Sequence, residues 1–182
     1  MTKLLSFHNS KEIKKKYVDR IKIHRKMEHL IQGIGWEDGE QPKGCAVGCV
    51  LEVYDHSRYP IELGLPEWLA RLEDFLFEKL PKKEAEKFAV DFLNVIPVGV
   101  DVENVRHKLA IARLKLSLEK LETNKKPYAV ECRNAINAVI VWHNQMIVGF
   151  DSESAESAAR SAAWSAAWSA AWSAWSAWSA ES

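Results

Sequence analysis

The stretch Pro66-Glu-Trp-Leu-Ala-Arg-Leu-Glu-Asp-Phe-Leu-Phe-Glu-Lys-Leu80 decides the fold class. Its large apolar residues recur at the i, i+3, i+4, i+7 spacing of an amphipathic helix. They are Trp68, Leu69, Leu72, Phe75, Leu76 and Leu80. Pro66 stands where a first helical residue is preferred, and Pro81 ends the pattern. The segment therefore predicts a helix that buries one face.

Helical spacing recurs on both sides of this stretch, whereas no segment of useful length alternates polar and apolar residues, with residues 45–54 as the one possible exception. Asn9 and Glu12 have the form of a capping box, and they predict the start of a helix. The other predicted helices span Asn9 to about Gln32, Lys83–Val95, Asp101 to about Leu121 (burying Val105, Leu109, Ala112 and Leu116), and Pro127 to Ile147. We therefore expect an all-α helical bundle of about five helices.

The composition is that of an ordinary globular protein. The 182 residues include 25 basic and 25 acidic side chains, 47% are hydrophobic and 27% are charged. This excludes a disordered chain, a collagen and a disulfide-dense miniprotein, and zero net charge argues against a DNA-coating protein. The apolar stretch among the first residues is too short for a signal peptide. No segment has the apolar density of a transmembrane helix. With three cysteines, an odd number, we expect a cytoplasmic protein with reduced thiols.

The last part of the chain differs from the rest in composition. We divide the chain into a helical bundle over 1–150 and a Ser/Ala/Trp repeat over 151–182. On a helix, five tryptophans of the repeat share an arc of about 120°, and their mean spacing is that of a coiled coil. These stripe residues are Trp164, Trp168, Trp172, Trp175 and Trp178.

Indole rings aligned in this way need an apolar cover. The stripe can dock on the bundle of its own chain, or it can pair with copies of itself in a homo-oligomer. A membrane surface is the weaker reading, because only Arg160 supplies a basic residue near the repeat. We therefore expect self-association or docking.

Polar side chains near the first helix are the candidates for chemistry. His24 and Glu28 lie four residues apart on its apolar side, with Arg20 at the edge. Together with Cys45 or Cys49 they could form a Cys–His nucleophile in which Glu28 orients the base. Cys45, Cys49 and His24 could instead share a structural zinc ion. The simpler interpretation is two packing thiols and a histidine paired with Glu28 in the core.

Other polar residues carry weaker signals. Glu73 flanks the apolar face of its helix and could line a ligand pocket, as could Arg20. Asp74 falls on the opposite, solvated side. Asp55-His56 fits a surface turn, although it could be a site pair, and His143 fits a satisfied core histidine. No cofactor can be named from these residues.

Two stretches carry a resemblance, namely Gly44-Cys-Ala-Val-Gly-Cys49 and Glu62–Asp74, the latter continuing from Phe77 to Pro81. Together with the Ser-Ala-Ala-Trp repeat, they resemble an uncharacterised family of small proteins from bacteria and their phages. The resemblance covers about residues 7–100 and the style of the tail, and the Cys-Ala-Val-Gly-Cys string is its most specific part. It implies no catalytic residues. It implies a mobile or phage setting, where small proteins that block host systems are common.

Three hypotheses remain open from the sequence. The first is a non-enzymatic helical interaction protein that binds a protein or a small anionic ligand and assembles or docks through its tail. The second is a Cys/His hydrolase or transferase that uses His24, Glu28 and Cys45 or Cys49. The third is a bundle with structural zinc at Cys45, Cys49 and His24.

Overall fold

The computed structural model describes residues 3–122 and 128–149, together with Ser157, Arg160, Ser161 and Trp164. Within these residues the fold is all-α, which confirms the predicted class. The α-helices are α1 (Lys11–Lys26), α2 (Ala46–Leu51), α3 (Arg58–Glu62), α4 (Glu67–Lys79), α5 (Lys82–Val95), α6 (Glu103–Glu122) and α7 (Ala129–Ile147). Strands β1 (Trp36–Glu37) and β2 (Lys43–Gly44) form a small antiparallel pair. The short α2 and α3 raise the number of described helices above the predicted five.

The chain divides into two compact units, Met1–Glu103 and Asn104–Ser182. The sequence-based division at residue 150 grouped α6 and α7 with the first helices. In the structure, α7 and all of α6 beyond Glu103 belong to the unit that contains the tail.

Helix α2 is the centre of the first unit, because all six of its residues are buried. It contacts α1 and α4, and α1 and α4 each contact α5. Gly48 lets the preceding loop approach α2 closely: a Cβ there would lie 1.9 Å from the carbonyl oxygen of Gly35. The backbone N–H of Cys45 donates to the carbonyl of Ile34 at 2.6 Å. The glycines of the Gly-Cys-Ala-Val-Gly-Cys string therefore serve loop packing against a buried helix.

Helix α1 begins two residues later and ends about six residues earlier than predicted. The cap is Ser10, whose side chain accepts a hydrogen bond from the N–H of Ile13, so the expected Asn9 cap is wrong. At the other end, the N–H of His29 donates to the carbonyl of His24, and the N–H of Glu28 donates to that of Arg25. This is a Schellman motif, with Glu28 in the left-handed position (φ 60°) that glycine usually fills.

The buried face of α4 is rotated from the predicted one. Leu69, Ala70, Glu73 and Phe77 are its buried residues, and Phe75, predicted to point inward, is exposed. Glu73 therefore stands in the middle of the buried face. The sequence did not reveal which face is buried, because apolar residues occur on more than one side of this helix.

The second unit contains α6 and α7 as an antiparallel pair. Asn104 near the start of α6 donates to the carbonyl of Ile147 at 3.4 Å, and Arg133 of α7 donates to the carbonyl of Leu121 at 3.1 Å. The buried described residues of the two helices are His107, Ala129 and Ala135. All four of the α6 residues expected inside are exposed instead, namely Val105, Leu109, Ala112 and Leu116. None of the described helices combines the length and the apolarity needed to cross a bilayer.

Candidate functional site

His24 is buried near the end of α1, and its partners differ from the predicted ones. Its Nδ1 lies 3.1 Å from Nδ1 of His29, and its Nε2 lies 3.7 Å from a carboxylate oxygen of Glu52. The ring also contacts Trp36 edge to face. Burial lowers the pKa of His24, the nearby His29 lowers it further, and Glu52 opposes both. A neutral imidazole is therefore favoured at His24.

Glu28 does not reach His24 in the way the sequence predicted. Because α1 ends at Lys26, Glu28 lies in the turn beyond it and is exposed. The expected His24–Glu28 pair on one helical face is therefore wrong, and Glu52, which follows α2, takes that place. Only tertiary packing brings Glu52 to α1.

Arg20 and Glu73, the two predicted ligand-binding residues, belong to separate contacts. Arg20 donates to the carbonyl of Val50 at 2.9 Å and lies 3.3 Å from the Glu52 carboxylate. Arg20 therefore binds the C-terminal end of α2. Among the described contacts, none joins Arg20 to Glu73.

Cys45 and Cys49 lie one helical turn apart, and both are buried. Cys45 is the N-cap of α2, and its sulfur accepts a hydrogen bond from the N–H of Gly48 at 3.4 Å. The Cys49 thiol donates to the carbonyl of Gly44 at 3.4 Å. Burial raises the pKa of both thiols, to about 12 for Cys49, and the carboxylate of Asp74 adds to the rise at Cys45. Both cysteines are therefore neutral thiols at physiological pH.

These surroundings do not favour either chemical use of the cysteines. A nucleophilic cysteine needs a stabilised thiolate, whereas here the neutral form is favoured. The ring nitrogens of His24 face His29 and Glu52 rather than a sulfur. Across the described ranges, no group of three or more His, Cys, Asp or Glu side chains is placed to hold a metal ion, and this includes the proposed zinc set.

Glu73 is fully buried and accepts a hydrogen bond from the hydroxyl of Tyr59 at 2.5 Å. Its other oxygen has no partner among the described residues. Burial raises the pKa of Glu73 to about 8; the Tyr59 hydrogen bond lowers it, and the adjacent Asp74 raises it further. Glu73 is therefore largely protonated at neutral pH, and it links α4 to α3 within the core.

Asp74 is another polar residue whose surroundings the sequence predicted wrongly. Instead of being solvated, its carboxylate accepts a hydrogen bond from the hydroxyl of Tyr54 at 2.8 Å and lies 3.2 Å from Nε2 of His56. The sequence had offered the dipeptide Asp55-His56 as a possible site pair, but its two residues bind different partners. Asp55 accepts a hydrogen bond from the hydroxyl of Ser57, two residues further along, and His56 contacts Asp74.

Two described clefts open on the surface of the first unit. One, of about 560 Å³, is lined in part by Met27, Glu28, His29 and Glu40. The other, of about 230 Å³, is lined in part by Leu30, Gln32 and Phe77. Of the predicted site residues only Glu28 lines either cleft, so these clefts do not bring His24, Glu28, Cys45 and Cys49 together.

In the second unit, His143 contacts another histidine. Its Nδ1 lies 2.8 Å from Nδ1 of His107, and its ring contacts Trp142. Burial lowers the pKa of His143, and the nearby His107 and Arg106 lower it further. The pair connects α7 to α6.

Of the predicted tryptophan stripe, Trp164 falls within the described residues. It has helical backbone geometry, and 69% of its surface is exposed. Trp168, Trp172, Trp175 and Trp178 lie outside the described residues.

Comparisons with protein-family models, with curated proteins and with solved structures gave no match to this chain. The resemblance to small bacterial and phage proteins therefore remains a prediction.

Proposed function

We propose that this protein is a non-enzymatic helical interaction protein that self-associates through its tryptophan-bearing tail. The observation that carries the proposal is Trp164, a large indole on a helical segment with 69% of its surface exposed. Covering one indole removes roughly 150–250 Å² of surface from water. Because 69% of its surface is exposed to solvent, Trp164 favours a partner from outside the chain over docking on the bundle.

The spacing of the stripe supports a second copy of the chain as the occupant. Intervals of four, four, three and three residues between the tryptophans average to the period of a coiled coil. The alanine and serine residues between them are small enough for two helices to approach closely. A second copy presents the same stripe in the same register, so one contact can satisfy both chains.

The chemistry of the first unit supports the non-enzymatic part. Cys45 and Cys49 are buried neutral thiols, and Glu73 is buried against Tyr59. These groups join secondary-structure elements within the core and do not line the described clefts. We also propose a reducing, cytoplasmic location, which is supported by three cysteines that form no disulfide.

The test is the mass of the full chain in solution, measured by light scattering over a range of concentrations. We expect the native chain to exceed the monomer mass and a variant with the five stripe tryptophans changed to alanine to be monomeric. A matched control changes Ser165, Ser169 and Ser173 to alanine and is expected to keep the native mass, because these positions lie off the stripe.

Two results would overturn the proposal. One is a native chain that stays monomeric at about 100 µM, well above ordinary dissociation constants for specific association. The other is a tryptophan-free variant with an unchanged mass. A monomeric native chain whose melting temperature falls when the tryptophans are removed would show docking within one chain instead.

A further inference from the structure

Helix α6 carries a second apolar stripe that is exposed. Val105, Leu109, Ala112 and Leu116 follow one another at intervals of four, three and four residues, the a/d spacing of a heptad repeat. The exposed fractions of Val105, Leu109 and Leu116 are 46%, 37% and 57%. Ala112 is exposed as well. We call these four residues the α6 stripe.

The α6 stripe is separate from the face that α6 turns toward α7. His107, on that other face, is buried and contacts His143. The pairing of α6 with α7 therefore uses one face and leaves the α6 stripe uncovered. An exposed apolar row on a helix that already has a partner marks a place for a further partner.

Basic residues flank the α6 stripe on both sides. In the heptad register the flanking e and g positions hold Arg106, Lys108, Arg113, Lys115 and Lys120. From Asn104 to Leu118 the sequence contains no acidic residue, and Glu119 and Glu122 fall only in the last turn. Among the described residues, Lys108, Arg113, Lys115 and Lys120 form no ion pair.

This charge pattern selects the partner. Flanking e and g positions set partner choice in paired helices, since opposite charges attract across the seam and like charges repel. Two copies of the α6 stripe would bring basic rows against basic rows. We propose that the α6 stripe binds an amphipathic helix of another protein, about three turns long, with apolar a and d residues and Glu or Asp at its flanks.

A membrane surface fits the α6 stripe less well than a helix does. Interfacial helices bury a broad apolar face that usually contains Trp, Phe or several Leu residues. Here the apolar residues are one valine, one alanine and two leucines in a narrow row. A narrow seam between two charged rows is the pattern of helix pairing.

The experiment uses the full chain and a synthetic helical peptide with leucine at a and d and glutamate at e and g. Its binding is followed by fluorescence anisotropy of the labelled peptide. We expect the double substitution L109Q and L116Q to weaken binding at least tenfold, because it removes two of the three large apolar residues of the seam. The matched control is V130Q with V141Q on α7, which changes two valines of similar exposure (52% and 55%) and is expected to leave affinity unchanged.

A charge arm tests the specificity. We expect R113E with K115E to bind the acidic peptide about tenfold more weakly than the native chain does. The same variant should bind a matching peptide with lysine at e and g more tightly. Raising the salt concentration from 0.05 M to 0.5 M is expected to weaken the native complex, because its flanking charges are exposed. The variant without tail tryptophans is expected to bind the acidic peptide like the native chain, which separates this proposal from tail self-association.

Several outcomes would overturn the proposal. These are no binding of the acidic peptide up to about 100 µM, equal binding of the acidic and lysine peptides, and binding that L109Q with L116Q leaves unchanged. Binding to vesicles of phosphatidylserine and phosphatidylcholine without binding to the peptide would assign the α6 stripe to a membrane. If L109Q with L116Q lowers the mass of the protein in solution, the α6 stripe would be assigned to contact with a second copy.

Discussion

At the scale of single residues, the core of the first unit contains acidic groups that burial keeps in their neutral, protonated form. Burying a carboxyl group without a counter-charge favours its neutral form. Glu73 is such a case, since Tyr59 supplies a hydrogen bond but no positive charge. The cysteine thiols are kept neutral by the same burial. These residues connect elements of the fold. Because Glu73 is protonated in the folded chain at pH values where it is ionised in the unfolded chain, the stability of the fold depends on pH.

The first prediction concerns Glu73. Its folded pKa of about 8 lies above the value of 4.5 expected in the unfolded chain. Its contribution to stability is therefore fully present below pH 4.5, falls as pH rises, and is lost above about pH 8. The substitution E73Q removes this titration, so its free energy of unfolding relative to the native chain should rise between pH 5 and pH 9, by about 2–4 kcal/mol.

The measurement is chemical denaturation of both proteins at several pH values. E84Q, at an exposed position of α5, serves as the control and should show no such trend. Histidines such as His24 titrate in the same range in both proteins, so the difference between the proteins isolates Glu73. A difference that is constant from pH 5 to pH 9 would show that Glu73 is ionised throughout.

At the scale of elements, helix ends decide which side chains can meet. Helix α1 stops at Lys26 because the next turn closes as a Schellman motif around Glu28. Had α1 continued to Gln32, His24 and Glu28 would have shared a face. The early end instead turns His29 toward His24 and leaves Glu28 exposed on a cleft.

The second prediction concerns this helix end. Glu28 has a φ of 60°, a conformation that costs an L residue about 1–2 kcal/mol and glycine almost nothing. Glycine loses about 0.5–1 kcal/mol more conformational entropy on folding, and this offsets part of the gain, so E28G should stabilise the chain by a net amount of about 0.5–1 kcal/mol. Thermal and denaturant unfolding measure the effect. E28A keeps the strained conformation while removing the carboxylate, so it is expected to give no gain, and a gain equal to that of E28G would trace the effect to charge.

At the scale of the whole molecule, the apolar core lies within one of the two units. Its buried members run from Phe7 to Val102 and all belong to Met1–Glu103. The segment before α6 is fixed to the N-terminus, because the N–H of Ser6 donates to the carbonyl of Val100 at 2.9 Å. Glu103 accepts a hydrogen bond from the indole of Trp68 at 3.0 Å. In the second unit, the described helices bury few side chains.

The third prediction follows from this distribution. A chain ending at Glu103 keeps the whole core and should fold alone, with a cooperative thermal transition and helical circular dichroism. A chain ending at Val95 loses the Ser6–Val100 contact and the buried Ile96 and Val102. It should unfold at a temperature lower by roughly 10 °C or more. Equal melting of the two truncated chains, or no transition in the longer one, would contradict a core that is complete at Glu103.

The sequence by itself determined the fold class and most of the long helices. The apolar spacing and the prolines near α4 and α5 are local signals, and local signals are enough to place a helix. The end of α1 was missed, because its left-handed position holds Glu28 and no glycine marks it. The short α2 was left undecided, because six buried residues show no period.

The tertiary structure alone decided which faces of α4 and α6 are buried and which polar groups meet. The partners Glu52 of His24, Tyr59 of Glu73 and Tyr54 of Asp74 lie 14 to 28 residues away in sequence, on other elements or loops. Such pairs form only when the chain has packed, so spacing within one helix cannot reveal them. The same holds for α6: its sequence shows apolar residues on two sides, and packing decides which side pairs with α7 and which remains exposed.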